Sequence, residues 1–190
     1  MNSGELRNIL DVFVPKSFVT GVYASDQLNF IKSPQFAVVF NNESSKFGGM
    51  HWLAMWKSKD TNVIQFFDSF AMPLDFYAPS IADFIRKNSG AVVSSCQQIQ
   101  SDFSEVCGQF CIYFLAKRIS GMSFEEILGE FTTFDLRKND TKVMNFALLN
   151  FTYPTFSAKD SIREYMHTIA EVEEVVQCCR KRVHLICQNK

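Results

Sequence analysis

Cys107-Gly108-Gln109-Phe110-Cys111-Ile112-Tyr113-Phe114-Leu115 has helical spacing, with Cys107, Cys111, Phe114, Leu115 and, further on, Ile119 all apolar. A helix this poor in polar residues has to be central and buried. Its first residue is Cys107, and the elements on either side say what buries it. Upstream, Phe36 to Phe40, Met50 to Trp56 and Val63 to Phe67 read as strands. They are separated by Asn41-Asn42, Gly48-Gly49 and the polar stretch Lys57 to Asn62, which predicts an antiparallel meander. Pro79 and Ser80 open a helix with Ile81, Phe84 and Ile85 apolar; it stops at Asn88 to Gly90, and another strand begins at Ala91. Before the strands, Ser3 can cap a helix that puts Leu6, Ile9, Leu10 and Phe13 on one face and ends ahead of Pro15.

After the central helix, Ser123 begins a short helix, Lys142 to Phe151 a second, and Ser157 to about Arg182 a third, so the chain is expected to be helical from about residue 123. Strands first, with helices around and after them, define an α+β fold with a mixed central sheet flanked by helices, not a doubly wound βαβ fold. The length fits a single domain, 1–190.

Hydrophobic residues make up 47% of the chain and phenylalanine alone occurs 20 times, enough to fill a core and too much for disorder. The 19 basic and 20 acidic side chains leave a net charge of −1, so no global positive field recruits nucleic acid or an anionic membrane. The longest apolar run, Phe110 to Ala116, falls far short of the ~18 residues of a membrane span. The first ten residues carry Glu5 and Arg7 and lack the apolar stretch of a secretory signal. A soluble protein that stays inside the cell is expected. The six cysteines, at 96, 107, 111, 178, 179 and 187, form neither a disulfide framework nor paired CxxC spacings. A reducing compartment follows, and no metal site, since Cys178, Cys179, His184 and Cys187 fit no usual zinc-ligand pattern.

A cysteine protease needs a thiolate, an imidazole to hold and pass its proton, a group that orients the imidazole, and donors for the developing oxyanion. Of the three histidines, His51 opens a strand after Gly48-Gly49-Met50, while His167 and His184 lie in the helical tail. Asp68 ends the next strand, and a hairpin with the strand of His51 would bring it to the second ring nitrogen; Asp60 and Asp75 are the alternative acids nearby. Cys107, at a helix start, meets unsatisfied amides and a dipole that favour a negative sulfur. Its own amide and the side chain of Gln100 could form an oxyanion hole, with Gln97 and Gln98 as competitors for that role. Cys111, one turn on, should face the core. Trp52 either walls a substrate groove or fills core.

In their order and spacing, Gly49-Met50-His51-Trp52, Phe67-Asp68-Ser69-Phe70, Gln100 and Cys107-Gly108-Gln109-Phe110-Cys111 resemble the adenain family, the adenovirus-type maturation proteases. The resemblance takes in the amino-terminal helix and the segment Phe18 to Tyr23. It implies a fold related to the SUMO and ubiquitin-like proteases, with His51 as base, Asp68 orienting it, Cys107 as nucleophile, Gln100 in the oxyanion hole, and Gly49 and Trp52 at the substrate. It further implies a monomeric viral cysteine endopeptidase that cleaves viral precursor proteins at Gly-containing sites during virion maturation, in the host cell nucleus and the virion. No cofactor is required for the chemistry, but the family is switched on by a viral peptide and by viral DNA, for which Arg180-Lys181-Arg182 offers a local basic run. The same fold could serve a deubiquitinase or deSUMOylase, or a non-catalytic DNA-binding virion protein. Asp68 stands where adenovirus enzymes generally have Glu, and Ser69 where their motif has proline, which marks a distant relative. Ser89 aligns with the cysteine that tethers the activating peptide, Cys96 being the nearest cysteine, so covalent activation is not expected.

Overall fold

Five strands form one sheet in the order β1-β2-β3-β4-β5: β1 Val19–Tyr23, β2 Phe36–Asn41, β3 Trp52–Lys57, β4 Val63–Phe67 and β5 Ala91–Ser94. They belong to a computed structural model that describes residues 1–151. By its contacts the chain divides into Met1–Asn150 and Phe151–Lys190. The helix expected from Ser157 to about Arg182 lies outside the described residues, as do His167, the Cys178, Cys179, His184 and Cys187 group and the Arg180-Lys181-Arg182 run.

The middle three strands are the antiparallel meander that their apolar runs and intervening turn residues predict. The outer two pair in parallel, β1 with β2 and β5 with β4, so the sheet is mixed. A parallel neighbour needs a crossover. Between β4 and β5 this is α2, Pro79–Asn88, whose proline stands in the first turn where a missing N–H costs nothing.

Every residue of β2 is buried, so the sheet is covered on both faces. Phe36, Val38 and Phe40 join Leu53, Met55, Ile64 and Phe66 in a cluster closed by Ile81, Phe84 and Ile85 of α2. The alternate residues Ala37, Val39, Ala54 and Phe67 point the other way, toward α3, Cys107–Ile119, where Phe67 stacks on Phe114 with ring centroids 4.7 Å apart. The small side chains of Ala37 and Ala54 let that helix lie close on the sheet. Phe110, Cys111, Ile112, Phe114 and Leu115 are all buried, as the sequence requires, and each such large side chain contributes about 1.5–3 kcal/mol of transfer free energy. The helix α1, Ser3–Phe13, buries Leu6, Ile9 and Leu10 and packs on β1 and α3.

Two helix starts differ from the sequence reading. α1 is capped by Asn2 and not by Ser3: Asn2 Oδ1 accepts from Glu5 N at 3.0 Å while Glu5 Oε2 accepts from Asn2 N at 2.8 Å. The reciprocal pair needs an acid three residues along; counted from Ser3 that place is Leu6. After α4, Phe124–Gly129, which Ser123 begins as expected and caps reciprocally with Glu126, α5 runs over Leu136–Phe151 and so begins well before Lys142. Its first turns bury Asn139 and Asp140, so the hydrophobic period that reveals a helix is missing there.

Candidate active site

At one end of the sheet β3 begins where β4 ends. The register pairs Ala54 with Phe67; continued past the strand ends it sets His51 level with Phe70, and their rings lie 5.0 Å apart. Asp68, two residues back on the same face, then reaches His51, with Asp68 Oδ1 2.7 Å from His51 Nε2. The histidine's main chain is pinned by Asn42, whose Oδ1 accepts from His51 N at 3.0 Å and whose N–H donates to His51 O at 3.0 Å. A loop that carries a titrating ring is thus held at its root.

Asp68 is 1% exposed, and a carboxylate so buried persists only if both oxygens are matched. Oδ1 faces His51 and accepts from Phe70 N at 2.9 Å; Oδ2 accepts from Met72 N at 2.8 Å and from the Tyr77 hydroxyl at 2.5 Å. The turn from Asp68 to Met72 wraps the carboxylate, with Ala71 at φ 54°, a left-handed conformation that costs a non-glycine residue about 1–2 kcal/mol. Burial alone would raise the Asp68 carboxyl; the bonds from His51 and Tyr77 outweigh it and leave it below the ordinary range. Asp60 and Asp75 are exposed, so of the three acids Asp68 is the partner of His51.

Tyr77 escaped the sequence reading, since it belongs to no motif. The signal available was a tyrosine between the acid and α2 whose hydroxyl, once buried, must find an acceptor. Tyr77→Phe should remove a hydrogen bond to a charged group, a loss of about 1.5–3 kcal/mol. We expect a lower melting temperature and a higher pH for the alkaline fall in peptide cleavage, as an Asp68 carboxylate freed of that donor pulls harder on the imidazolium. An unchanged cleavage profile would show that Tyr77 only fills space.

Cys107 is the first residue of α3, and Val106 before it supplies no side-chain cap, which leaves helix-end N–H groups open. The His51 ring and the main-chain N–H groups of Trp52 and Gly108 are the groups that act on the sulfur against its burial. Because His51 Nε2 is committed to Asp68, Nδ1 is the ring nitrogen left for the sulfur. Burial on its own would push the Cys107 thiol up; the His51 bond and charge and the two N–H groups overcome it and bring the thiol below its usual range. On the ring, burial works downward, but the bonds and charges of Asp68 and Cys107 carry His51 up to about 9. Both shifts act in the same direction, toward a proton on nitrogen and a negative charge on sulfur. Cys111 is different: full burial, then the charges of Cys107 and Asp68, push its thiol well up, as suits a core residue.

Gln100 is 1% exposed. Its Oε1 accepts from Ser69 Oγ at 2.6 Å and its Nε2 donates to Ser104 O at 2.7 Å. Gln97 donates to Leu128 O, and Gln98 to Asp102 and to Gln100 O, so neither competitor shares the buried position of Gln100. Trp52 is half-buried, its indole N–H donating to Met1 O at 3.1 Å. Gly108 lies under that ring: a Cβ there would sit 3.4 Å from Trp52 Cδ1 and 3.2 Å from Met1 Cβ. Gly49 is exposed, yet a Cβ on it would come within 1.8 Å of Asn41 Nδ2, so the loop can rest on Asn41 only with glycine there. Among the described residues no group of three or more His, Cys, Asp and Glu side chains could hold a metal ion, and no helix is long and apolar enough to cross a membrane.

No protein-family model and no curated protein matches the sequence. The fold matches solved structures. Two crystal structures of the ASFV pS273R protease, one of them with selenomethionine, superpose with a TM-score of 0.52 at 13% identity, over 75% of this chain and 66% and 65% of theirs. The Legionella pneumophila effector protein RavZ gives a TM-score of 0.37 at 11% identity, over 77% of this chain and 67% of its own. The chain therefore spans about two thirds of the length of the ASFV protease structures, and what it has in common with them at this identity is the fold: α+β, a mixed five-stranded sheet with flanking helices.

Proposed function

We propose that the protein is a cysteine endopeptidase with Cys107 as nucleophile, His51 as acid and base, Asp68 as the carboxylate that orients His51, and Gln100 as a donor to the oxyanion. One observation carries this reading: the buried Asp68–His51 pair, 2.7 Å apart, acting on a sulfur at the first residue of a buried helix. The likeness of fold to a protease supports it.

The chemistry follows from the proton's position. The Cys107 thiolate adds to the scissile carbonyl carbon, forming a C–S bond and placing the electron pair on oxygen, where the Cys107 N–H and the Gln100 amide receive it. As the C–N bond breaks, His51 gives its Nδ1 proton to the departing amine, leaving a thioester. Neutral His51 then takes a proton from water, hydroxide adds to the thioester, and the acid leaves with the thiolate and imidazolium restored. Asp68 keeps the ring oriented throughout and is never itself protonated.

The substrates we propose are viral precursor proteins cut at Gly-containing sites during virion maturation, by a monomer acting in the host nucleus and the virion. Gly49 and Trp52, on the histidine loop, would flank the substrate, where a narrow groove passes glycine and rejects a Cβ. An activating viral peptide could add to the edge strand β5, whose Val92 and Val93 are 38% and 40% exposed. Exposed Cys96 follows that strand, and viral DNA would be the second activator.

Profiling cleavage of a Gly-containing peptide library under reducing conditions, with and without DNA and short virion peptides, tests the reading. Cuts clustered at glycine are expected. No thiol-dependent cleavage in any condition would overturn it, and rapid labelling of Cys107 by a ubiquitin-like carboxy-terminal probe would redirect it to deconjugation.

A further inference from the structure

Ser69 follows the acid that orients His51, and the structure gives it a second task. Its hydroxyl, on a residue only 1% exposed, meets Gln100 Oε1 at 2.6 Å. The direction of that bond is fixed by the other end of the amide. Ser104 O, 2.7 Å from the amide, is a carbonyl and can only accept, so the atom facing it is nitrogen. The atom facing Ser69 is then oxygen, and Ser69 must donate. Of the two hydrogens on Nε2 one goes to Ser104, and the other is left to point elsewhere. We infer that Ser69 is a positioning residue for the oxyanion hole: by holding Gln100 Oε1 while Ser104 O holds Nε2, it fixes the plane of the amide so that the second N–H is presented to the reaction. This deepens the proposed endopeptidase and rests on it.

Main-chain bonds keep the segment in place independently of that hydroxyl. Ile99 N and Gln100 N donate to Ser69 O at 2.9 and 3.2 Å. On the far side Asn139 Nδ2 donates to Ile99 O at 2.9 Å, and Asp140 Oδ1 accepts from Ser101 N at 3.3 Å. Ser69→Ala therefore leaves the backbone held and loosens only the amide, which then pivots on its one remaining bond, to Ser104 O. One turn thus serves both halves of the site, Asp68 orienting the base and Ser69 the oxyanion donor. The proline that the resembling family carries after its acid could not do this, having no hydroxyl.

The test uses the full chain and a peptidyl-Gly-Gly aminomethylcoumarin drawn from the library hits. Ser69→Ala should lower kcat by about 10- to 100-fold, within the loss of a whole oxyanion donor, with KM and the pH profile of Cys107 alkylation unchanged. Added to Gln100→Ala, it should lower kcat no further. Equal losses in both backgrounds, or a shifted alkylation profile, would overturn the inference in favour of a general structural role. An independent readout needs no turnover: the Gln100 side-chain amide protons should be protected from exchange in the wild type and lose protection in Ser69→Ala. Unchanged protection overturns the inference, whereas absent wild-type cleavage with lost protection counts against the protease reading and leaves the amide lock standing.

Discussion

Cys107→Ala should leave the fold as stable as the wild type and reduce peptide cleavage by about 10⁴-fold or more, the scale seen when a covalent nucleophile is removed. The reasoning starts from the sulfur's neighbours. The His51 ring and two main-chain N–H groups, of Trp52 and Gly108, act on a group that burial alone would keep protonated. Such a convergence stabilises a negative charge and has little to offer an inert core thiol, as the contrast with Cys111 one turn along shows. The pH dependence carries the same signature in the wild type. Activity should rise through the depressed thiol value, below the ordinary 9.0, as sulfur loses its proton. It should fall as pH passes about 9, where the imidazolium that protonates the leaving amine is lost. Iodoacetamide should label Cys107 ahead of Cys111, and should already do so at neutral pH. Cleavage that survives in Cys107→Ala, or labelling of Cys107 that begins only near pH 9, would remove the residue from the chemistry.

How much of this was readable in the sequence depends on the kind of signal each residue leaves. α3 could be read because it is apolar on every side and its start coincides with Cys107. The meander could be read from short apolar runs set apart by turn residues, and with it the pairing of His51 and Asp68, since strands in register bring fixed residues together. The outer strands gave less. β5 is short and exposed, and the parallel pairing of β1 and β5 follows from crossovers that leave no local pattern. The parts of the site that stayed hidden all act through groups without a period. Tyr77 and Ser69 act through single hydroxyls, Phe70, Met72 and Trp52 through their main-chain N–H groups, and Ala71 through a backbone angle. Asn139 and Asp140 hide the start of α5 for the same reason, being buried as polar partners of the Gln100 segment.

Asp68→Asn should have the second-largest effect, a loss of about 10²–10⁴ in kcat/KM, because the amide keeps the shape of the carboxylate but reverses one of its two ends. Four donors aim at its two oxygens, and asparagine offers only one oxygen. If its nitrogen takes the Oδ2 place, it meets the Met72 N–H, which cannot turn away. If it takes the Oδ1 place, it meets Phe70 N–H and forces His51 to present an unprotonated Nε2, so the ring cannot be an imidazolium. Breaking a buried charge pair in this way costs about 3–5 kcal/mol. The cost must also vary with pH in a definite direction. His51 is raised from 6.5 to about 9 in the folded chain, so its contribution to stability is whole below 6.5 and disappears as pH rises through 9. Asp68 is lowered from 3.8, so its contribution is whole above 3.8 and disappears as pH falls through the depressed value. The stability lead of the wild type over Asp68→Asn should therefore be widest between about pH 4 and 6.5 and narrow on both sides, as denaturant unfolding at a series of pH values would measure. A lead that stays constant from pH 4 to 9 would mean that Asp68 acts as a packed polar residue, and that His51 and Cys107 do not depend on its charge.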